Sequence, residues 1–256
     1  MRYITFSLWG NNKVYTYGMI ENAIMAQTMY PGWTVRVHHN DTVPDAILTC
    51  LKSLENVELI HHPGRDTIGV NMCWRFEDIF IEDATVIVRD ADSRFTEREV
   101  RCVNEWLQSN KDFHIIRDHK HHTVPILGGM FGARNNCIRH IPVPNGNRNI
   151  NGAHHVFMDG LALTKQFAHD NNQAGYCIDQ MFLWLYIYPY VMFTSMIHAQ
   201  PSVAFEPFCT LIDERETGFV AEISTLTPVA SKLLGDSECD FQRVASYTSE
   251  TSATAG

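Results

Sequence analysis

The sequence has 256 residues, of which 45% are hydrophobic and 19% are charged, and its formal net charge is -9. A chain of this length can bury the core of one large domain, with or without a smaller appendage. The acidic balance argues against a nucleic-acid partner, and no apolar run reaches the ~20 residues of a membrane span, so neither is predicted.

The seven cysteines are widely spaced and form no Cys-x-x-Cys pair. Their odd number and spacing predict reduced thiols in the cytoplasm and no zinc site. The apolar run near the N-terminus is too short for a signal peptide, and residues 3–8 are therefore predicted to form the first strand.

Over residues 3–61, short apolar runs typical of strands alternate with segments that have a helical pattern. The predicted elements are strands at 3–8, 34–38 and 57–61 and helices at 18–30 and 44–54. Such an alternation is typical of a parallel sheet with helices on both faces. We therefore predict the α/β class, with one Rossmann-like domain built on a mostly parallel central sheet flanked by helices.

The fourth predicted strand, residues 84–88, ends at Asp90 and Asp92. In an extended backbone, residues two apart point to the same side, so both carboxylates can meet one ligand. Two adjacent carboxylates repel each other unless a cation lies between them, and oxygen ligands of this kind suit Mn²⁺ or Mg²⁺. The alternative is an acidic pair at the entry of a loop that caps the next helix.

The whole chain is predicted to form one domain, 1–222, followed by a C-terminal extension, 223–256. The last ~20 residues of the extension are predicted to be disordered. Thr96 and Glu99 form a capping-box pattern at the start of a helix that ends near residue 109. Further predicted elements are a helix at 74–81, a strand at 113–117, loops at 62–74 and 142–155, a helix at 155–170, a helix from about 176, a strand at 191–197 and an irregular segment at 201–222.

A loop after the strand at 113–117 contains His119, His121 and His122, and it leads to a glycine-rich stretch with Gly128 and Gly129. The glycines allow the backbone to approach a ligand closely, although a tight turn beside a packed strand fits the same pattern. The histidines have no regular ligand spacing, so a metal site and a solvated loop both stay open.

Polar residues lie at the carboxyl ends of four predicted strands: Ser7 to Gly10, Asp90 and Asp92, Asp118 and His119, and His198. In open α/β sheets, ligands bind at the carboxyl ends of the strands. We therefore expect these residues to meet at one site.

Several motifs recur in a fixed order along residues 3–222 and carry a resemblance to a known family. They are Phe6-Ser7-Leu8-Trp9-Gly10, Tyr30-Pro31-Gly32-Trp33, Trp74-Arg75-Phe76, Val88-Arg89-Asp90-Ala91-Asp92-Ser93-Arg94, Ile116-Arg117-Asp118-His119, Ile126-Leu127-Gly128-Gly129-Met130-Phe131-Gly132, Asp179-Gln180-x-Phe182-Leu183 and Gly218-Phe219-Val220. The set resembles nucleotide-diphospho-sugar glycosyltransferases of the GT-A fold. It is most similar to small members encoded by bacteria and large algal viruses, related in pattern to glycosyltransferase families 8 and 34.

The resemblance implies a role for each matching residue. Asp90, Asp92 and His198 would bind the metal, and Asp118, Asp179 and Gln180 would lie at the reacting sugar as catalytic residues. The donor would be bound by Ser7, Leu8, Trp9, Arg75, Asp90, Ala91, Gly128 and Gly129.

The expected function is that of a hexosyl- or pentosyltransferase that uses Mn²⁺ or Mg²⁺. It would move a sugar from a nucleotide diphosphate, with uridine diphosphate favoured, to a hydroxyl of a glycan or glycoprotein. One alternative is a nucleotidyltransferase that makes the sugar nucleotide, although residues 10–13 lack the glycine repeats such an enzyme needs. Another is a nucleotide-sugar-binding module without turnover.

Overall fold

An eight-stranded sheet forms the centre of the computed structural model, which describes residues 1–144, 155–173, 175, 177–212 and 218–235. The strand order is β10-β9-β5-β6-β4-β1-β2-β3, and a second sheet pairs β7 with β8. The strands are β1 Arg2–Leu8, β2 Thr34–His39, β3 Val57–His61, β4 Thr85–Val88, β5 Phe113–Arg117, β6 Phe131–Arg134, β7 His140–Pro144, β8 His155–Asp159, β9 Ser195–Ala199 and β10 Thr210–Leu211.

The α-helices are α1 Lys13–Met29, α2 Asp45–Lys52, α3 Ile68–Cys73, α4 Glu97–Gln108, α5 Gly160–Asp170, α6 Ile178–Phe182, α7 Tyr188–Val191 and α8 Pro228–Leu234. Two 3₁₀ helices, Trp74–Phe80 and Pro201–Val203, and a π-helical turn, Leu183–Ile187, complete the described elements. No helix in the described part of the chain is long and apolar enough to cross a membrane.

The large sheet is parallel except for β6, which runs antiparallel to its neighbours β4 and β5. Apolar side chains pack on both of its faces, as the alternating pattern predicts. In β4, Val86 and Val88 belong to one core and Ile87 to the other, which explains why this strand is a continuous apolar run. The predicted fold class, a mostly parallel sheet flanked by helices, is therefore confirmed.

Three boundaries differ from the sequence-based expectation. Helix α1 begins at Lys13 rather than residue 18, because Asn12 caps it by accepting a hydrogen bond from the Val14 backbone N–H at 3.0 Å. Part of the predicted 62–74 loop is helix α3. The predicted strand at 191–197 starts only at Ser195, because Pro189 lies in the first turn of α7, where a helix needs no backbone N–H.

The region after β5 contains strands that the sequence did not predict. Strand β6 lies inside the glycine-rich stretch, and β7 and β8 replace the two ends of the predicted 142–155 loop, while residues 145–154 lie outside the described range. The predicted helix at 155–170 starts only at Gly160, where the Asp159 side chain accepts from the Ala162 backbone N–H at 2.9 Å.

Of the two residues in the capping-box pattern, Thr96 caps the helix, whereas the Glu99 carboxylate binds other side chains. Thr96 caps α4 by accepting from the Glu99 backbone N–H at 3.1 Å. The Glu99 carboxylate is buried and accepts hydrogen bonds from Arg89 and from the Tyr30 hydroxyl, the latter at 3.1 Å. Glu99 thus neutralises the buried Arg89 that precedes the acidic pair.

The described part of the C-terminal extension packs against the domain. The backbone N–H groups of Val229 and Ala230, at the start of α8, donate to Glu21 of α1 at 2.8 and 2.9 Å. Ala230 is fully buried. The domain boundary at residue 222 stays a prediction, and residues 236–256, with the stretch predicted to be disordered, lie outside the described residues.

Candidate active site

A cavity of about 520 Å³ lies at the carboxyl ends of β1 and β4. These two strands are parallel neighbours, with Thr5 opposite Val88, so the segments that follow them meet at one edge of the sheet. The lining residues are Ser7, Leu8, Trp9, Gly10, Asn11, Asn12, Tyr15, Met72, Arg75, Asp90, Ala91, Asp92, Gln180, Ala221 and Ile223. Eight of the residues predicted for the site are among them: Ser7, Leu8, Trp9, Arg75, Asp90, Ala91, Asp92 and Gln180.

The loop that carries Asp90 and Asp92 is held on several sides. Asn22 of α1 donates to the Ser93 carbonyl at 2.9 Å, and the Ser224 backbone N–H donates to the Asp92 carbonyl at 2.8 Å. Gly18 of α1 is needed for this contact, since a Cβ there would lie 2.3 Å from the Ala91 carbonyl oxygen. The two carboxylates are therefore presented by a fixed backbone.

Arg75 lies between two carboxylates at the base of the cavity. Its guanidinium donates from Nη1 to Asp90 Oδ1 and from Nη2 to Asp179 Oδ2, the latter at 2.8 Å, and its backbone N–H donates to Ser7 Oγ at 3.0 Å. Burial alone would lower the pKa of Arg75, but Asp90 and Asp179 raise it overall, so the side chain stays charged. One residue thus links the ends of β1 and β4 to helix α6.

Asp179 is fully buried beneath Arg75 and does not line the cavity. Burial raises the pKa of Asp179, and the neighbouring Arg75 opposes this shift. Its Oδ1 atom and the Nε atom of Arg75 are buried without a hydrogen-bond partner. Both side chains are buried and bonded to each other, so Asp179 acts on the cavity through Arg75.

Gly128 and Gly129 pack directly against these charged groups. A Cβ on Gly128 would lie 2.3 Å from Asp179 Oδ2, and one on Gly129 would lie 1.9 Å from Asp90 Oδ2. Any larger residue would displace a carboxylate. The close approach that the glycines allow is thus to Asp179 and Asp90.

Asp92 is half-buried in the cavity wall. Burial raises its pKa to about 6, and the nearby Asp90 adds to the shift. Two carboxylates that disfavour each other's charge in one open cavity are suited to a divalent cation. In the described part of the chain, no cluster of three His, Cys, Asp or Glu side chains could hold a metal. Two carboxylates still fit Mn²⁺ or Mg²⁺, since Mg²⁺ in particular commonly completes its shell with water and substrate phosphates.

His198 is not brought to the acidic pair. It lies inside β9, separated from β4 by β6 and β5, which places it about 14 Å away across the sheet. Its ring nitrogens pair with His114 and Glu105, both at 2.9 Å. Burial lowers the pKa of His198, and Glu105 opposes this shift. The arrangement gives no support to His198 as a metal ligand.

Asp118 is fully buried and is not among the described residues that line the cavity. Its Oδ2 accepts from Arg98 Nη1 at 2.6 Å and from the Val220 backbone N–H at 2.8 Å. Asp118 therefore anchors the segment that carries Ala221, and its expected role at the reacting sugar is not supported by this placement.

The histidine-rich loop packs against an aromatic ring. His119 stacks on Phe219 with ring centroids 4.2 Å apart, and His122 accepts from the Asp118 backbone N–H at 3.0 Å. Burial lowers the pKa of His122 to about 4, and His119 and His121 add to the shift. These contacts fit a loop that packs against the domain.

Sequence reasoning missed several residues of the cavity wall. Asn11, Asn12 and Tyr15 lie where α1 begins, and the Asn12 cap was the signal that could have placed them there. Ala221 comes from the segment predicted to be irregular and Ile223 from the start of the predicted C-terminal extension, where it forms an isolated bridge to Ser93. No local sequence pattern marks that long-range pairing.

The turn after β1 is fixed by the segment that follows the neighbouring strand β2. Gly10 has a φ of +72°, and its backbone N–H donates to Thr42 Oγ1 at 2.7 Å. Thr42 in turn donates to Asn40 Oδ1 at 2.6 Å. This chain of hydrogen bonds positions Trp9 at the cavity edge.

Comparisons with known proteins give similarities of shape. No model of a protein family matches the sequence, and no curated protein matches it either. A glycosyltransferase involved in the glycosylation of the major capsid of PBCV-1 has a TM-score of 0.44 at 10% identity, over 77% of this chain and 81% of that chain.

Two other solved structures are similar in shape to a lesser degree. A putative glucose-1-phosphate thymidylyltransferase from Bacillus anthracis, in complex with sucrose, has a TM-score of 0.40 at 11% identity, over 78% of this chain and 87% of that chain. A 4-diphosphocytidyl-2C-methyl-D-erythritol synthase from Anaerococcus prevotii has a TM-score of 0.33 at 10% identity, over 79% and 88%. The resemblance to glycosyltransferase families 8 and 34 stays a prediction.

Proposed function

We propose that the chain is a metal-dependent glycosyltransferase, a hexosyl- or pentosyltransferase. It moves a sugar from a nucleotide diphosphate, with uridine diphosphate favoured, to a hydroxyl of a glycan or glycoprotein. The observation that carries the proposal is the grouping of Asp90, Asp92 and Arg75 in one cavity at the carboxyl ends of β1 and β4.

The donor fits the cavity by its chemistry. Ser7, Leu8 and Trp9 offer backbone groups and an aromatic ring to the base, at the edge formed by β1. The diphosphate lies by Asp90 and Asp92, with Arg75 beneath. The sugar then lies towards Gln180, whose amide can hydrogen-bond its hydroxyls without adding charge.

Mn²⁺ or Mg²⁺ would be held by Asp90 and Asp92. A bound divalent cation supplies Lewis acidity to the leaving diphosphate. Without a cation, the two carboxylates would repel the donor phosphates, which makes the acidic pair by itself a poor diphosphate site.

Arg75 supplies the fixed positive charge of the site. Its position between Asp90 and Asp179 orients the guanidinium before the donor arrives, so little reorganisation is needed as negative charge grows on the departing phosphates. We assign Asp179 as a positioning residue for Arg75. Gln180 is the residue of the predicted catalytic set that lines the cavity.

The proposal is tested by incubating the full chain with a panel of nucleotide sugars and following sugar release. Activity with one donor, lost on chelation and restored by added Mn²⁺, is the expected result. Pyrophosphate release from a nucleoside triphosphate and a sugar phosphate would identify a nucleotidyltransferase instead. Tight donor binding without any product would identify a binding module.

Substitution of Gly129 by alanine is expected to weaken binding of Mn²⁺ and nucleoside diphosphate by at least about tenfold. The new Cβ would overlap Asp90 and move its carboxylate, and a half-exposed side chain can move without unfolding the protein. Isothermal titration of the variant measures the loss.

Gly132→Ala is the matched control, because Gly132 faces the core. A Cβ there would lie 2.9 Å from the Val86 carbonyl oxygen and 3.0 Å from the Trp106 ring. This variant is expected to lose about 1–3 kcal/mol of stability and to keep its affinity for Mn²⁺. Equal affinities for the wild type and Gly129→Ala would contradict the assignment of Asp90.

A further inference from the structure

Residues 177–212 contribute no exposed charged side chain to the protein surface. One charged group from outside the segment, the Lys111 ammonium, donates to the Phe193 carbonyl at 3.2 Å. The segment contains no Lys or Arg, and its two acids, Asp179 and Glu206, are buried. Large apolar side chains are nevertheless exposed on it, by 44–69%: Trp184, Leu185, Phe193, Phe205, Phe208 and Leu211, which we call the apolar face. Six large exposed apolar side chains on a segment without an exposed charge of its own are unusual for a surface in contact with water.

The apolar face is held in place by contacts beneath it. The rings of Phe193 and Phe208 lie 6.1 Å apart, and the guanidinium of Arg117 lies 4.6 Å from the Phe205 ring. Arg117 is neutralised by Glu206, which also accepts from the Tyr188 hydroxyl at the end of the helical segment. These side chains are therefore ordered before any partner binds, which lowers the entropy lost on association.

The apolar face includes an open sheet edge. Strand β10 is the last strand of the large sheet, and no strand in the described part of the chain pairs with its outer side. Both of its residues, Thr210 and Leu211, are exposed. An unpaired edge with an apolar side chain readily accepts another strand.

We propose that the apolar face binds a second copy of this chain in a two-fold symmetric dimer. A two-fold axis brings the same face of both copies together, and a segment without exposed charges of its own places few like charges opposite each other. The core of a protein–protein interface is typically enriched in aromatic residues and depleted of charged residues, and the apolar face has this composition.

The size of the apolar face agrees with this partner. At roughly 100 Å² for each half-exposed large side chain, the six expose roughly 600 Å². A standard interface buries about 800 Å² per partner, so a modest polar rim completes it. A lipid surface fits less well, because the segment has no Lys or Arg to meet anionic headgroups and the chain is acidic.

The oligomeric state of the full chain, measured by sedimentation equilibrium at low and high sodium chloride, tests the proposal. A dimer is expected, with an affinity that holds or increases with salt, since screening reduces only the repulsion between the acidic chains. A monomer at all concentrations would overturn the proposal. So would a monomer that binds phosphatidylcholine vesicles, which would assign the face to a membrane.

Phe193→Glu is expected to raise the dissociation constant of the dimer by at least about tenfold. Leu233→Glu is the control, because Leu233 is 57% exposed but lies on α8, which packs against α1. Mixing the Phe193→Glu and Phe193→Lys variants should restore association as a heterodimer. Equal dissociation constants for both glutamate variants would overturn the proposal.

Discussion

Replacement of Asp92 by asparagine should lower the metal-dependent rate of donor-sugar release by at least about 100-fold. The asparagine keeps the shape of the side chain but removes one of the two negative charges that hold the cation. A metal that stabilises a leaving group typically contributes several kcal/mol, and 100-fold corresponds to about 2.7 kcal/mol. The measurement is the rate of sugar release at saturating Mn²⁺ with the best donor.

Asp112→Asn provides the control for this variant. Asp112 is exposed, and its backbone carbonyl, which the substitution keeps, is the group that binds Arg134. The control should have wild-type activity, and both variants should have the wild-type circular dichroism spectrum. An Asp92→Asn enzyme as active as the control would remove the acidic pair from the mechanism.

Replacement of Arg75 by methionine should abolish donor turnover and also destabilise the protein. Methionine fills a similar volume but leaves Asp179 buried without a counter-charge, and breaking a buried ion pair in this way costs about 3–5 kcal/mol. Chemical denaturation measures the loss of stability, and the donor assay measures the loss of turnover.

The double variant Arg75→Met with Asp179→Asn separates the two effects. The amide removes the uncompensated charge, so the free energy of unfolding should recover in part relative to Arg75→Met alone. Activity should remain lost, because no positive charge lies under the diphosphate. A double variant that regains turnover would show that Arg75 acts only as a structural partner of Asp179.

Local patterns predicted the half of the fold that begins the chain. Strands β1 to β4 and helices α1 and α2 follow from runs of apolar residues, and Asp90 and Asp92 follow from their position after a buried strand, whereas α3 lies in a segment predicted to be a loop. The capping pattern at Thr96 found the start of α4, although Glu99 is used to neutralise Arg89.

Strand neighbours could not be predicted from local patterns. We expected His198 to lie beside the acidic pair because both are at the carboxyl ends of predicted strands. In the structure, β6 and β5 lie between β9, which carries His198, and β4, which precedes the acidic pair. Strand β6 itself is hidden in a glycine-rich stretch, where Gly132 leaves room for the Trp106 ring. The order of strands depends on packing between distant segments.

The contacts among the central residues of the candidate site could not be predicted from local patterns either. Arg75 was selected by resemblance, and its two partners lie 15 and 104 positions further along the chain. Nothing in the sequence near Arg75 indicates that Asp179 lies beneath it. Gly128 and Gly129 were expected to approach a ligand, whereas the structure shows which carboxylates require them.

The most direct test of the account is a crystal of the full chain grown with Mn²⁺ and uridine diphosphate, with the metal located by anomalous diffraction. The account predicts one manganese peak at bonding distance from carboxylate oxygens of Asp90 and Asp92, with the diphosphate as its other ligand. A peak at the histidine-rich loop or at His198, with the two aspartates free of metal, would contradict it.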